Sequence, residues 1–240
     1  MIRTIWFFLV VAAATIFYGV WSIGASLFGV KGTLYSRLTQ SWARAILRAA
    51  GVPVTTGGVE NVRPDEPQII VSNHVSWFDI FAIAAVLPLP FYFVAKKELE
   101  RIPLFGAAWK AAGHISIDRS NRQKAIQSLR DAGEQVRRDR GSVIIFPEGT
   151  RSRSGRLQPF KKGAFSLALE AGVPIVPTVV TGSYDIMRPD SWTVHPQTVH
   201  LRFAEPVTPA PRESSDALTE RVYAIIAEIL GESDQLPPEA

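Results

Sequence analysis

Gln68-Ile69-Ile70-Val71-Ser72-Asn73-His74-Val75-Ser76-Trp77-Phe78-Asp79 is the stretch that decides the fold. Its first five residues form a short apolar run without polar alternation, the pattern of a strand buried on both faces. A helical pattern follows at Trp77–Leu87, with Ser72 or Asn73 as its expected cap. The unit strand–turn–helix then repeats downstream. Strands are predicted at Gln68–Ser72, Phe91–Ala95, His114–Ile117, Ser142–Phe146, Ile175–Val180 and Thr198–Phe203. Helices are predicted near Trp77–Leu87, Leu104–Ala112, Asn121–Asp139, Lys161–Ala171 and Glu213–Leu230. Such alternation predicts an α/β fold, a mainly parallel or mixed sheet flanked by helices.

The same pattern gives further detail. Ile126, Leu129, Gly133 and Val136 give the third of these helices a buried face, with Ser120 as its cap. Leu218, Val222, Ile225 and Ile229 do the same for the last. Gly51–Pro67 reads as a connector with room for one short strand. The prolines of Val173-Pro174-Ile175-Val176-Pro177 suit the start of a strand or a sheet edge. Its apolar residues read mostly as core, with an acyl groove as the alternative. Glu232–Ala240 is polar, contains proline and is expected to fray.

Composition narrows the function. The 240 residues include no cysteine, which excludes disulfides, thiol nucleophiles and cysteine-ligated metals. The net charge of +4 is unevenly placed. No Asp or Glu precedes Glu60, whereas Arg3, Lys31, Arg37, Arg44 and Arg48 do. A basic, aromatic and apolar N-terminus points to an anionic membrane surface rather than to nucleic acid.

Thr4–Val30 is uncharged and long enough to cross a bilayer core as a helix. Trp6, Tyr18 and Trp21 suit headgroup depth. A membrane anchor is the favoured reading; a cleaved signal ending near Ala12-Ala13-Ala14 and a buried core helix are the rivals. The apolar run continues past those alanines, which favours an uncleaved anchor. Basic residues after the segment place the remainder of the chain on the cytoplasmic side. Leu34–Ala49 continues as an amphipathic helix with Leu34, Leu38, Trp42 and Ile46 on one stripe and Arg37, Arg44 and Arg48 on another face. It either lies in the membrane interface or packs on the domain. Residues 1–50 thus read as a membrane-anchoring helical region and 51–240 as the second domain.

Several strand ends carry chemistry. His74 follows a buried strand, and open α/β sheets bind ligands at the C-terminal ends of their strands. On an ideal helix, residues five apart lie about 140° apart, so His74 meets Asp79 only from the turn before the helix. Asp79 would then orient the imidazole as a general base. Alone, a His–x4–Asp spacing arises readily by chance, and a capping role competes. Phe146-Pro147-Glu148-Gly149-Thr150-Arg151 follows another buried strand. Its turn offers backbone N–H groups and a guanidinium that can hold a phosphate bidentately. Glu148 can pair with Arg151, bond a substrate hydroxyl or pin the turn; a surface turn with a salt bridge competes. Gly113-His114-Ile115-Ser116-Ile117-Asp118-Arg119 ends a third strand, with Arg119 either on phosphate or in a structural corner with Asp118. Lys96 and Lys97 add positive charge where a fourth strand ends.

These four strings resemble the ordered motifs of the glycerolipid acyltransferases, and most of all the bacterial 1-acyl-sn-glycerol-3-phosphate acyltransferases. They are His74–x4–Asp79, Gly113–Arg119, Phe146–Arg151 and Val173–Pro177, and they cover about residues 70 to 180. Ala95-Lys96-Lys97-Glu98-Leu99 and Pro159-Phe160-Lys161-Lys162-Gly163-Ala164-Phe165 are similar to family features as well. The resemblance implies that residues 51–240 form an acyltransferase domain acting at the cytoplasmic face of a bacterial inner membrane. His74 would deprotonate the sn-2 hydroxyl of lysophosphatidate and Asp79 would orient it. Arg151, Lys96 and Arg119 would hold the phosphate, in a pocket shaped by Glu148 and Gly149. Acyl-CoA or acyl carrier protein would be the donor, phosphatidic acid the product, and no metal or cofactor is implied. Glycerol-3-phosphate, another lysophospholipid and a lyso-ornithine lipid are the alternative acceptors.

Three other classes compete. A hydrolase would use Ser76 or Thr150, though no Gly-x-Ser-x-Gly elbow is present. A metal site on His74, Asp79 and Glu148 lacks the His-Glu-x-x-His spacing. A membrane-tethered phospholipid-binding protein would use Arg151 and the N-terminal arginines without chemistry. His195 and His200 read as packed or solvent-facing.

Overall fold

The computed structural model describes residues 2–30, 32–64, 66–118 and 120–231, without the side chains of Arg122 and Ile126. The expectations for Arg119, the Ile126 side chain and the 232–240 tail fall outside the described residues.

Seven strands form one sheet in the order β1-β7-β6-β2-β5-β3-β4. They are β1 (Val54–Gly57), β2 (Gln68–Ser72), β3 (Phe91–Lys96), β4 (Ile115–Ile117), β5 (Ser142–Ile145), β6 (Ile175–Thr181) and β7 (Val199–Phe203). Strands β2 to β6 are mutually parallel. β7 runs antiparallel to β6, and β1 parallel to β7, so the sheet is mixed at one side. All five residues of β2 are buried, as a central parallel strand covered on both faces must be.

Two helical layers cover the sheet, and the pleat sorts β2 between them. Ile70 joins the core under α1 (Ile2–Leu27), α2 (Thr33–Ala50), α3 (Trp77–Val86) and α4 (Phe105–Ala111). Ile69 and Val71 join the core under α5 (Arg122–Asp139), α6 (Gly163–Ala171) and α8 (Ser215–Leu230). Burying each such side chain stabilises the fold by roughly 1.5–3 kcal/mol. A short helix that the sequence pattern does not signal, α7 (Ser183–Ile186), follows β6.

The N-terminal segments form a helical hairpin on the first layer. Phe7 is buried and stacks on Phe78 of α3 at 5.5 Å between ring centroids. Trp42 Nε1 of α2 donates to Thr15 Oγ1 of α1, and the Trp42 ring meets Phe81 edge-on. Of the two readings of the second segment, packing on the domain is the one observed. Arg44 Nε and Gln40 Nε2 donate to the Ala85 and Leu87 carbonyls, where α3 ends. Arg44 thus braces a helix C-terminus, where a cation and a donor are both favourable. The outer face of α1 stays apolar and uncovered, with Ile5, Trp6, Leu9, Ile16, Phe17, Val20 and Trp21 all more than half exposed. By length and composition α1 is able to cross a membrane.

Three local expectations are corrected. Ser76, not Ser72 or Asn73, is the cap residue of α3; it is the last extended residue before the helix. Asn121, not Ser120, caps α5, because its side chain accepts from Lys124 N–H. Pro177 is not at an edge but inside β6, between β2 and β7. β7 ends at Phe203, opposite Thr178, and the pairing is irregular beyond it. Ala204 N–H donates to the Pro177 carbonyl, and Val207 pairs with Ile175, so the chain opposite carries one extra residue. A bulge is one of the few places inside a sheet where a proline is tolerated.

Candidate active site

β2 delivers His74 to the sheet rim through Asn73. The Asn73 side chain donates to the Val180 carbonyl and accepts from Val180 N–H, at 2.9 and 2.8 Å. A side-chain amide thus takes the place of a strand residue and fixes where the chain leaves the sheet. The turn then wraps around one carboxylate. Asp79, fully buried, accepts from His74 Nδ1 at 2.8 Å, Val75 N–H at 2.7 Å and Ser76 N–H at 2.9 Å, all on Oδ2. Its Oδ1 accepts from Ser183 Oγ at 2.5 Å. A carboxylate only accepts, so Nδ1 of His74 carries the proton. Nε2 is left as the basic nitrogen, on a side chain that is 12 % exposed.

The second motif is fastened to the first. The His74 ring stacks on Phe146 at 4.1 Å and 21°. Ser152 N–H donates to the His74 carbonyl at 2.8 Å. Glu148 Oε1 accepts from His74 N–H at 2.7 Å, while Oε2 accepts from Gln158 Nε2 at 2.9 Å. Of the roles open to Glu148, the geometry supports pinning the turn; both oxygens face the protein, and no phosphate contact follows from them. Burial pushes this carboxyl up to about 8, offset in part by the His74 and Gln158 donors and reinforced by Asp79.

Gly149 has a positive φ of 78°. An added Cβ there would stand 2.7 Å from Lys161 Nζ, so the lysine head lies against this turn. Arg151 projects from the same turn, and its guanidinium sits 4.8 Å above the Trp77 ring. Ser152, the residue after Arg151, bonds the His74 carbonyl, and the charge of Asp79 reaches the guanidinium, so Arg151 lies close to the His74–Asp79 pair. Burial lowers the Arg151 pKa, with the charges of Asp79 and Asp190 opposing it. The site therefore offers a fixed positive charge beside an oriented base.

The other candidates are more peripheral. Lys96 is the exposed last residue of β3. Strand β5 lies between β3 and β2, which places Lys96 two strand spacings, roughly 10 Å, from the His74 strand end. Asp118 accepts from Ser120 N–H and Oγ beside a cleft of about 260 Å³ also lined by Lys97, Glu100, Ser116 and Lys124. That cleft does not touch His74. The parallel strands β2, β5, β3 and β4 are neighbours, so the ends that carry His74, Glu148–Arg151, Lys96 and Asp118 fall on one rim, whereas Val173–Pro177 enters β6 from the other end of the sheet. His114, by contrast, precedes β4 and lies beside the middle of β3, where it accepts the Phe93 N–H.

Alternative chemistries find little support. Ser76 is buried and donates to the Met187 carbonyl, not to His74. Among the described residues, no three His, Asp or Glu side chains gather as a metal site. Sequence reasoning missed Ser183 and Gln158 and saw Asn73 only as a cap. All three act across more than one element, and no local spacing signals them.

The acyltransferase family model matches residues 53–181, the span that holds His74, Asp79, Lys96, Glu148, Gly149, Arg151 and Gln158 but stops short of Ser183. The chain belongs to the acyltransferase family. The crystal structure of the 1-acyl-sn-glycerophosphate (LPA) acyltransferase PlsC from Thermotoga maritima superimposes with a TM-score of 0.82 and 26 % identity, over 99 % of this chain and 97 % of that one. The 1-acyl-sn-glycerol-3-phosphate acyltransferase of Pseudomonas aeruginosa is 29 % identical over 96 % of this chain and 91 % of its own length. The protein of that name from Cocos nucifera is 37 % identical over 85 % of this chain. The chain spans 55–66 % of the length of the first plant and yeast relatives it matches. In this acyltransferase the α1–α2 hairpin precedes the matched span.

Proposed function

We propose that this acyltransferase moves a fatty acyl group from a thioester donor to the sn-2 hydroxyl of 1-acyl-glycerol-3-phosphate, giving phosphatidic acid. The carrying observation is the His74–Asp79 pair beside Arg151. His74 Nε2 removes the proton from the acceptor hydroxyl as its oxygen attacks the thioester carbonyl. The tetrahedral intermediate collapses with loss of the thiolate, which takes up the proton held by His74. Asp79 holds the ring and stabilises its charged form. No protein nucleophile takes part, in keeping with Ser76 being committed to Met187. Arg151 binds the acceptor phosphate through charge-assisted hydrogen bonds. Lys96 adds positive charge along the rim, Arg119 stays a phosphate candidate by the family resemblance alone, and Gly149 lets the turn form. The similarity to relatives named as lysophosphatidate acyltransferases supports this acceptor over the alternatives.

The exposed apolar face of α1 supports attachment to a phospholipid membrane, with the site on the cytoplasmic side. There the acceptor and product keep their chains in lipid. The donor is acyl-CoA or acyl carrier protein. One assay tests the whole reading: enzyme in detergent is offered acyl-CoA with lysophosphatidate, glycerol-3-phosphate or lyso-ornithine lipid, and thiol release is followed. Lysophosphatidate is expected to be the best acceptor. Thiol release from none of the pairs would leave only a lipid-binding protein, and release without acceptor would indicate a hydrolase.

A further inference from the structure

We infer that Ser183 is the third member of a Ser183–Asp79–His74 relay, a positioning residue that sets the geometry of the base. It comes from a remote segment. β6 ends at Thr181, Gly182 turns the chain, and Ser183 opens the short helix α7. Its hydroxyl is fully buried and is donated to Asp79 Oδ1, the oxygen that His74 does not use.

The physical case rests on rotation. Oδ2 gathers three N–H donors from the turn at residues 74–76, all on one side of the carboxylate. They leave the carboxylate free to rock about χ2, and His74 would rock with it. The Ser183 bond on Oδ1 closes that motion and fixes the plane in which Nε2 points. The placement of Ser183 is itself tightly set. Gly182 has a φ of +81°, and a Cβ added there would stand 2.2 Å from the Thr198 carbonyl oxygen of the chain leading into β7. Only glycine lets the chain pass there. Two residues earlier, Val180 is held by both ends of the Asn73 amide. Five residues after Gly182, the Met187 carbonyl accepts Ser76 Oγ. The 180–187 segment is thus joined to the His74 turn at Asn73, Ser76 and Asp79, and of the three links only Ser183 reaches the carboxylate.

A purely structural serine would satisfy a buried carboxylate oxygen and nothing more. The two roles separate by measurement. This inference rests on His74 as the base, so His74→Ala is assayed first. If that variant keeps its turnover, the base itself is wrong, whatever Ser183 does. With His74→Ala inactive, Ser183→Ala is expected to lose kcat on the order of 10- to 100-fold, with KM for acceptor and donor within about twofold. Ser183→Thr, which keeps the hydroxyl, should recover most of kcat. In an Asp79→Asn background, Ser183→Ala should cost little further, since the carboxylate it positions is already gone. Melting temperature is followed for each variant. A kcat loss that adds fully in the Asp79→Asn background, or an Ala variant with wild-type kcat, overturns the relay. Should Ser183→Ala fail to fold, the Thr variant and the Ser183→Cys variant, a weaker donor, decide. kcat graded in the order Ser, Thr, Cys supports the relay, and equal kcat in all three overturns it.

Discussion

Two histidines flank strands of the same sheet, one after the end of central β2 and one before the start of edge strand β4, and only one of them has a carboxylate partner. His74 leaves the C-terminal end of β2 and gives Nδ1–H to a buried carboxylate. His114 stands before β4, where its Nδ1 accepts the Phe93 N–H. Its ring packs against Trp109 at 4.5 Å and against Phe93 at 5.8 Å. No acid offsets its desolvation, so its pKa is pushed down to about 3. Both rings are enclosed by aromatics, since His74 stacks on Phe146. Enclosure therefore does not make a base. A carboxylate on Nδ1, with Nε2 turned to the ligand-binding rim, does.

The largest expected effect breaks the comparison outright. His74→Ala should remove turnover, by about 10⁴-fold or more in kcat if the role matches that of a triad histidine. His114→Asn, which keeps an acceptor for Phe93 N–H, should leave kcat within a fewfold. Steady-state thiol release from acyl-CoA reads both. Comparable losses in the two variants would show that the contrast drawn from their partners is wrong. Asp79→Asn comes next. With the amide in place of the carboxylate, His74 Nδ1 loses the acceptor that fixes its tautomer, and kcat should fall by about 10³–10⁴-fold. A loss below tenfold would mean that the turn alone orients the ring.

Much of this was legible in the sequence, and the gaps have a common cause. Strand β2 was readable because the unbroken apolar run Ile69–Val71 needs a sheet covered on both faces. The His74–Asp79 contact followed from spacing plus a turn. What spacing does not carry is any bond between segments far apart in the chain. Ser183 meets Asp79 across 104 positions, and Asn73 meets Val180 across 107. Glu148 showed three possible partners in the sequence, and only the fold selects His74 N–H and Gln158. Pro177 misled for a related reason: its place in a central strand depends on a bulge at 204–207, in another segment. The hairpin is the counterpart case. Its hydropathy was plain, but Phe7 on Phe78 and Trp42 on Thr15 are tertiary contacts, and those determine which face of α1 is left exposed.

A smaller effect concerns the cation beside His74. Arg151→Ala should raise KM for the phosphorylated acceptor by about 10- to 150-fold, the loss of one charge-assisted bond of roughly 1.5–3 kcal/mol. KM for the thioester should barely move. An equal rise for both would place Arg151 outside the phosphate site. Arg151→Lys should recover only part of the loss, because an ammonium neither forks onto a phosphate nor stacks on Trp77 as a planar guanidinium does.

The smallest effect is on stability, and here two buried groups pull in opposite directions. His114 titrates at about 3 in the fold against 6.5 unfolded. Between those values the unfolded chain binds more protons, so stability from neutral His114 is present above pH 6.5 and is lost as pH falls toward 3. Glu148 titrates at about 8 in the fold against 4.5 unfolded. There the folded chain binds more protons, so stability is full below 4.5 and is lost as pH rises toward 8. The two slopes oppose each other between 4.5 and 6.5, which predicts a broad plateau in that window for the wild type. His114→Asn should flatten the acid side of the curve alone. Glu148→Gln, whose Oε1 still accepts the His74 N–H, should flatten the alkaline side alone. Urea midpoints from pH 4 to 8.5 read both, and a variant that shifts the whole curve without changing its slope would show that its group does not titrate with folding.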